Sequence, residues 1–422
     1  MSILFLVAIV LVVVLVLFRS RDNGQPHNDY FSSIQKNLKQ CAPGRPVMLV
    51  DMDRVDANIE RVRERVGDTS KIRLVAKSLP CMELLKYLQN ALGSNRLMVF
   101  HQPFLSQLFR EFIDNDFLIG KPFPVQAVKT FLDNLGGTDQ KRLHQIQWLV
   151  DSHARLTQYL SLAKEKRIKL RINIEIDVGL HRGGVQSADE VRRLLQLIKS
   201  HPDSLIFSGF MGYEPHLAKA SLARLQRSGK QHVLKTYSGF VEIVRNEFPD
   251  LFHDDLYFNS AGSMTYQLYP ETDRGVINEL SIGSAFVKPV DFDLSTLKDH
   301  QPAFFIATPV LKMHRGLLLP FADDFLRPFT DLNTNLQQSY FIYGGWWKAT
   351  SCSPAGLSNN RLYGRSTNQE LMTGSCKTGL EVDDYIFLRP NQSESVMLQF
   401  GQLYSMRDLK LAGRLSAFVQ NY

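Results

Sequence analysis

Cysteine is scarce: four in 422 residues, Cys41, Cys81, Cys352 and Cys376, with no CxxC pair and no metal-type spacing. That excludes a disulfide framework and suits a reducing compartment. Low-complexity tracts and repeats at a solenoid period are also missing. With 44% hydrophobic and 22% charged residues the composition is that of a folded protein, not a disordered one. The formal net charge of +7 is modest, and the basic residues are scattered among acids. Without a clustered basic stripe there is no nucleic-acid footprint.

What is present begins with a long apolar run. Ile3 to Phe18 are sixteen consecutive apolar residues, followed at once by Arg19 and Arg21. A cleaved signal peptide would carry a basic segment before the run and small residues after it. Met1-Ser2 has no positive charge and Phe18-Arg19-Ser20-Arg21 is a poor cleavage site, so residues 1–21 read as an uncleaved transmembrane anchor. The run is slightly short for a span, which bilayer thinning accommodates. Arginine just after it places the globular part on the cytoplasmic side of an inner or plasma membrane. Residues 22–45, with Asn23-Gly24, Pro26 and Pro43-Gly44, read as a linker with one short amphipathic stretch.

Beyond Pro46, short apolar runs alternate with helical patterns, the mark of βα units around a parallel sheet. Eight runs stand out: Ile72–Lys77, Leu97–Phe100, Phe117–Gly120, Ile146–Asp151, Leu170–Asp177, Ile206–Tyr213, Leu256–Ser260 and Ile277–Ile282. Eight units imply an α/β fold closed as a (β/α)8 TIM barrel over residues 46–290. An open doubly wound sheet would announce a glycine-rich phosphate turn after its first strand, and Ala76-Lys77-Ser78-Leu79 has no glycine. After Pro289 short β-rich segments take over, so residues 291–422 are expected to form a mainly β domain.

A barrel builds its active site at the carboxyl ends of its strands. The first run ends in Lys77 after Leu74-Val75-Ala76, where an apolar setting would disfavour the charged amine and leave it able to form a Schiff base. The fifth ends Glu175-Ile176-Asp177-Val178-Gly179-Leu180-His181-Arg182, and the sixth Gly212-Tyr213-Glu214-Pro215-His216. His181 and His216 are acid/base candidates, since imidazole titrates near neutrality. The seventh and eighth run into Ser260-Ala261-Gly262-Ser263 and Gly283-Ser284, the kind of turns in which barrels hold a phosphate.

Taken in order, these segments resemble the fold type III pyridoxal-phosphate enzymes, in particular the alanine racemase N-terminal-like group that contains D-threonine aldolase and D-serine dehydratase. The resemblance rests on Pro46–Asp53 with Asn58, Ile72–Ser78, Ile176–Arg182, Gly212–His216, Asn259–Thr265 and Asn278–Ser284, and extends to Tyr343–Lys348 and Tyr363–Gln369. It implies that Lys77 carries pyridoxal 5'-phosphate, that Ser260, Gly262, Ser263, Gly283 and Ser284 bind its phosphate, and that Arg182 and Tyr213 lie near its ring. Metal-dependent members carry a His and a nearby Cys or Asp after a Pro-Asn-like turn. Here the turn reads Pro390-Asn391-Gln392-Ser393-Glu394; Gln392 is a poor zinc ligand and Glu394 alone makes no site, which argues against a metal.

The resemblance further implies a lyase on D-amino acids, of aldolase or dehydratase type, working as a homodimer whose active sites lie between one chain's barrel and its partner's β domain. The alternatives are an amino-acid racemase, for which Tyr340, Tyr343 or Tyr363 could supply a second base, and a cofactor-binding protein without turnover. The additional β domain argues against the last.

Overall fold

The computed structural model describes residues 20–136, 140–220, 222–318, 333–360 and 363–419. The run Ile3–Phe18, and the anchor expected there, lies outside the described residues. Among those described, no helix is long and apolar enough to cross a membrane.

The chain forms two compact units. Of the described residues, the first takes those up to Asp53, those within Ala303–Gln392 and Gln402–Arg414; the second takes those within Arg54–Pro302, Ser393–Gly401 and from Leu415 on. The packing thus cuts across the expected limits of 46–290 and 291–422.

Chain order opens with helix α1 (Asp29–Cys41) and strand β1 (Val47–Asp51), and neither joins the barrel. The expected linker is therefore partly structural. Asn28 caps α1 by accepting from the Phe31 amide at 3.1 Å. Phe31, Ile34 and Leu38, spaced i, i+3 and i+7, bury against Val47, Leu49, Phe305 and Phe387 of the β unit. Burying each such side chain contributes about 2 kcal/mol, which is why a stretch with few other helix signals is held in place.

The barrel strands are β2 (Ile72–Val75), β3 (Arg96–Val99), β4 (Asp116–Ile119), β5 (Ile146–Val150), β6 (Leu170–Glu175), β7 (Leu205–Met211), β8 (Tyr257–Ser260) and β9 (Glu279–Ile282). They run in sequence order, all parallel, and close where β9 pairs with β2. Helices α2 (Met52–Val66), α3 (Met82–Leu92), α4 (Gln102–Glu111), α5 (Val125–Asp133), α6 (His153–Lys166), α7 (Ala188–Lys199) and α8 (Ala223–Glu247) alternate with them. Helix α7 shows why these segments are helical. Ser187 and Glu190 form a reciprocal capping box, and Val191, Leu194, Leu195 and Ile198 make one buried face. On α2 the buried Asn58 amide donates to the carbonyls of Phe286 and Gln301, each at 2.9 Å, fixing the chain that leaves β9.

Alternation along the strands sorts the barrel interior into layers. Near the amino ends Arg73, fully buried, donates to Glu279 at 2.6 and 2.8 Å and to Asp116 at 2.7 Å. Arg96 and Arg171 complete the network on the same two carboxylates. Burial opposes the charge on Arg73, but Glu279 and Asp116 outweigh it and hold the guanidinium charged. Two residues further along, Met98, Leu118, Leu149 and Met211 form an apolar layer with Val75 and Phe100. Two residues beyond Val75 stands Lys77.

Among the described residues, the other unit is a nine-stranded mixed sheet. Its long strand β10 (Phe304–Arg315) pairs antiparallel with β1, which is itself parallel to β16 (Gln402–Arg407). Strands β11 (Gln338–Tyr343), β12 (Ala349–Ser353), β13 (Ser358–Asn359), β14 (Gln369–Gly374), β15 (Tyr385–Pro390) and β17 (Lys410–Ser416) complete it. A short helix, α9 (Ser393–Phe400), falls between β15 and β16 yet packs as part of the barrel unit.

Candidate active site

The carboxyl ends of the barrel strands bring most of the sequence-predicted residues together. Strand β2 ends at Val75, and Lys77 stands in the helical turn Ala76–Ser78 that follows. Its amine lies 4.7 Å from the Phe100 ring centre and 3.5 Å from Glu394 Oε2 on α9. The side chain is 39% exposed, so the apolar enclosure expected around it is only partial. The turn lifts Lys77 clear of the layer that buries Val75 on one side.

Opposite the amine in the strand order, Arg182 stacks its guanidinium 5.0 Å from the centre of the Tyr213 ring. Burial pushes the Tyr213 hydroxyl above its ordinary range; the Arg182 charge opposes this, and the Glu214 and Glu394 carboxylates add to it. The Glu394 charge therefore reaches from Lys77 to Tyr213.

The turns after β8 and β9 are braced against each other and against their surroundings. Ser260 donates to Glu214 Oε2 at 2.9 Å, and Thr265 donates to Oε1 at 3.2 Å while accepting from the Gly262 amide at 3.1 Å. The Ser263 hydroxyl accepts from the Gly283 amide at 2.9 Å, and Ser284 meets Ser393 at 3.2 Å. The Ser260 hydroxyl is thus engaged with the buried Glu214. A Cβ on Gly262 would lie 2.7 Å from Tyr213 Cε2, and one on Gly283 would lie 2.8 Å from Ser78 Cβ and 2.9 Å from Val75 Cβ. Neither turn has room for a side chain, and the β9 turn rests directly on the residues flanking Lys77.

His181 and His216 differ. His181 is 78% exposed, with Nδ1 bonded to Asp177 at 2.7 Å. Burial opposes ionisation of Asp177, but the amides of His181 and Gly179 and the imidazole outweigh it and keep the carboxylate below its usual range. His216 is half-buried, and its Nδ1 has no partner among the described residues. Burial, helped by the nearby imidazoles of His181 and His232, lowers its affinity for a second proton, so it stands neutral at neutral pH.

Three carboxylates with unusual settings were given no role at the site by the sequence reading. Glu175 is pushed up to about 7 by burial and by the Asp151 charge, against the pull of Arg182. Glu214, fully buried, is also pushed up to about 7 by burial, although the Ser260 and Thr265 hydroxyls favour its charged form. Glu394 lies 317 positions from Lys77 along the chain, beyond the reach of any local periodicity. Period two along β2 and β3 could have aligned Phe100 with Lys77; nothing local marks Glu214 as buried. One expectation for the other unit is corrected: the Tyr340 hydroxyl is buried against Thr378 and raised by that burial, so it offers no exposed second base. Tyr343 and Tyr363 remain exposed. Among the described residues, no group of three or more His, Cys, Asp or Glu side chains is arranged to hold a metal ion.

Glu214 carries a testable linkage. The folded state retains a proton that an unfolded glutamate releases near 4.5, so this group's contribution to stability falls as pH rises from about 4.5 to about 7 and is flat above. Glutamine cannot ionise. Glu214→Gln therefore loses one acceptor at every pH, but gains on the wild type by about 3 kcal/mol between pH 5 and pH 8. Urea denaturation of both proteins at several pH values measures this, and parallel pH profiles would show that Glu214 does not titrate in that window.

Residues 50–287 match the family model described as alanine racemase, N-terminal domain. The chain belongs to that family. Its fold is that of the fold type III pyridoxal-phosphate enzymes, as the sequence resemblance implied. Among solved structures, D-threo-3-hydroxyaspartate dehydratase from Delftia sp. HT23 superposes with a TM-score of 0.69 at 15% identity, over 92% of this chain and 100% of that one. D-threonine aldolase from Filomicrobium marinum gives 0.66 at 14% identity, over 88% and 96%. Alanine racemase from Bacillus anthracis gives 0.64 at 14%, over 88% and 97%. No curated protein matches the sequence.

Proposed function

We propose that this chain is a pyridoxal-phosphate-dependent lyase of D-amino acids, of aldolase or dehydratase type, with Lys77 as the cofactor lysine. The observation that carries the reading is the packing of the β9 turn on Val75 and Ser78: an amine and a turn too tight for any side chain share one rim of the barrel. The residues suit the cofactor on three grounds. An aldehyde needs an accessible amine, and Lys77 is partly exposed. A planar ring needs a flat neighbour, and Tyr213 with Arg182 offers one. A phosphate needs donors at close approach, and the side-chain-free turns carry the Ser263 and Ser284 hydroxyls, the Gly262 and Gly283 amides themselves being bonded to Thr265 and Ser263.

When bound, the cofactor draws electrons from the α carbon of an amino acid, so that one bond at that carbon can break. The protein's residues then decide which. Lys77 can accept or return a proton at Nζ. His216, neutral and half-buried, can accept one, and the Asp177 carboxylate orients the His181 ring through Nδ1, leaving Nε2 free to do so. The full-length likeness to a dehydratase and an aldolase supports lysis. Racemisation is the second reading, supported by the likeness to alanine racemase and by the exposed Tyr343 and Tyr363. A homodimer, and anchoring through Ile3–Phe18 with the globular part cytoplasmic, complete the proposal.

The test is the purified protein mixed with cofactor and a panel of D- and L-amino acids. Release of an aldehyde or of ammonia with a keto acid from a D-β-hydroxy amino acid is expected. Loss of optical rotation without a new product would replace lyase by racemase, and failure to take up the cofactor at all would refute the assignment.

A further inference from the structure

Glu214 follows Tyr213 directly in the chain and is wholly buried. Each of its oxygens accepts a hydrogen bond from a hydroxyl of the β8 turn, Oε2 from Ser260 at 2.9 Å and Oε1 from Thr265 at 3.2 Å. Thr265 in turn accepts from the Gly262 amide, and Ser263, the next residue, accepts from the Gly283 amide. A single buried carboxyl thus braces the β8 turn, and the turn carries the connection on to β9. Holding two hydroxyls does not require an ionisable group, so the choice of a carboxyl calls for a further reason. Among the described residues the titratable groups that face it are the phenols of Tyr213, Tyr237 and Tyr269, each kept neutral by burial, and none of them balances a negative charge. Burial then pushes Glu214 up to about 7, with the Ser260 and Thr265 hydroxyls opposing. The carboxyl can therefore be neutral or charged near neutral pH, in contact with a turn that carries Ser263, one of the hydroxyls suited to a phosphate.

We infer that Glu214 is a positioning residue that governs the grip on the cofactor's phosphate: as a carboxylic acid it braces the β8 turn without opposing a dianion, and as a carboxylate it repels one. This rests on the pyridoxal-phosphate reading above and extends it to a residue that acts through Ser260 and Thr265. When protonated, the carboxyl can donate to one of the two hydroxyl oxygens, which frees that hydroxyl's own hydrogen for another acceptor. When ionised, it claims both hydrogens and adds a like charge in a site poor in water, where repulsion is far stronger than in bulk solvent. The coupling is reciprocal. A dianion in the turn favours the protonated carboxyl, so binding takes up a proton wherever Glu214 starts ionised.

The experiment compares pyridoxal phosphate with pyridoxal, which lacks the phosphate, on the full chain, each affinity being read from the change in absorbance as the aldehyde is taken up. From about pH 7 to pH 9 a phosphate monoester stays a dianion, and whatever alters the Lys77 amine acts on both aldehydes alike. The wild type's preference for the phosphorylated form should fall by about tenfold across that range, a coupling of ordinary size. Glu214→Gln keeps the shape of the side chain and cannot ionise. Its preference should stay constant to within about twofold, and at the alkaline end it should bind pyridoxal phosphate about tenfold more tightly than the wild type. Uptake of pyridoxal by the variant shows that its site is folded, and the wild-type profile tests the inference without any variant. A wild-type preference that does not change with pH, or one that falls equally in Glu214→Gln, overturns the inference and leaves the cofactor reading intact. A wild type that takes up neither aldehyde overturns both.

Discussion

Lys77→Ala should abolish turnover, lowering kcat by at least about a thousandfold, as removal of a covalent catalytic group does. Borohydride should fix the cofactor to the wild type and not to the variant. The fold should survive the change. Lys77 is partly exposed, its pair with Glu394 contributes about 1 kcal/mol or less, and the buried Ala76 and partly buried Val75 do not depend on it. Thermal melts of the two proteins should therefore nearly coincide. If the variant keeps the cofactor covalently and still turns over, the amine of another residue does the work.

The second large effect lies below the site and concerns stability. Arg73→Met keeps the volume of the side chain but leaves Glu279 with Arg96 and the Asn259 amide, and Asp116 with Arg171 and the Gln147 amide, inside the barrel. Removing one partner of a buried ionic network costs about 3–5 kcal/mol, because the remaining charge has no water to turn to. For a protein of this size that lowers Tm by about five degrees. Arg73→Met combined with Glu279→Leu should recover part of the loss, since the orphaned carboxylate then disappears. Calorimetry of the single and double variants measures it; a double variant less stable than either single one would show that the network is worth more than its replacement by apolar contacts.

The two predictions probe features that differ in how visible they were. Lys77 is legible from its place at the end of an apolar run, and so are the turns at Gly262 and Gly283, because glycine and serine at the last two strand ends have a recognisable pattern. Arg73 is not legible in that way. One arginine inside a four-residue strand, Ile72-Arg73-Leu74-Val75, looks like a residue on a solvent face until closure of the sheet turns that face inward. The limits of the units were hidden for a related reason. Val47–Asp51 reads as one more apolar strand beside the barrel, but its partners are Phe304–Ala307 and Leu403–Met406, hundreds of positions away. A linker containing Phe31, Ile34 and Leu38 becomes a packed helix for the same cause.

What the sequence determined by itself is whatever local periodicity and turn chemistry carry: eight βα units, the position of the lysine, the glycine-serine turns and the family. Only the tertiary structure decided what faces what. It brought Glu394 to Lys77 and Glu214 beneath the Ser260 turn, made Arg73 the centre of a buried charge network, and left Tyr340 without a free hydroxyl. Hydrophobic spacing of two or 3.6 residues is written along a few adjacent positions. Electrostatic pairing and burial depend on distances in space, and those arise only once the barrel has closed.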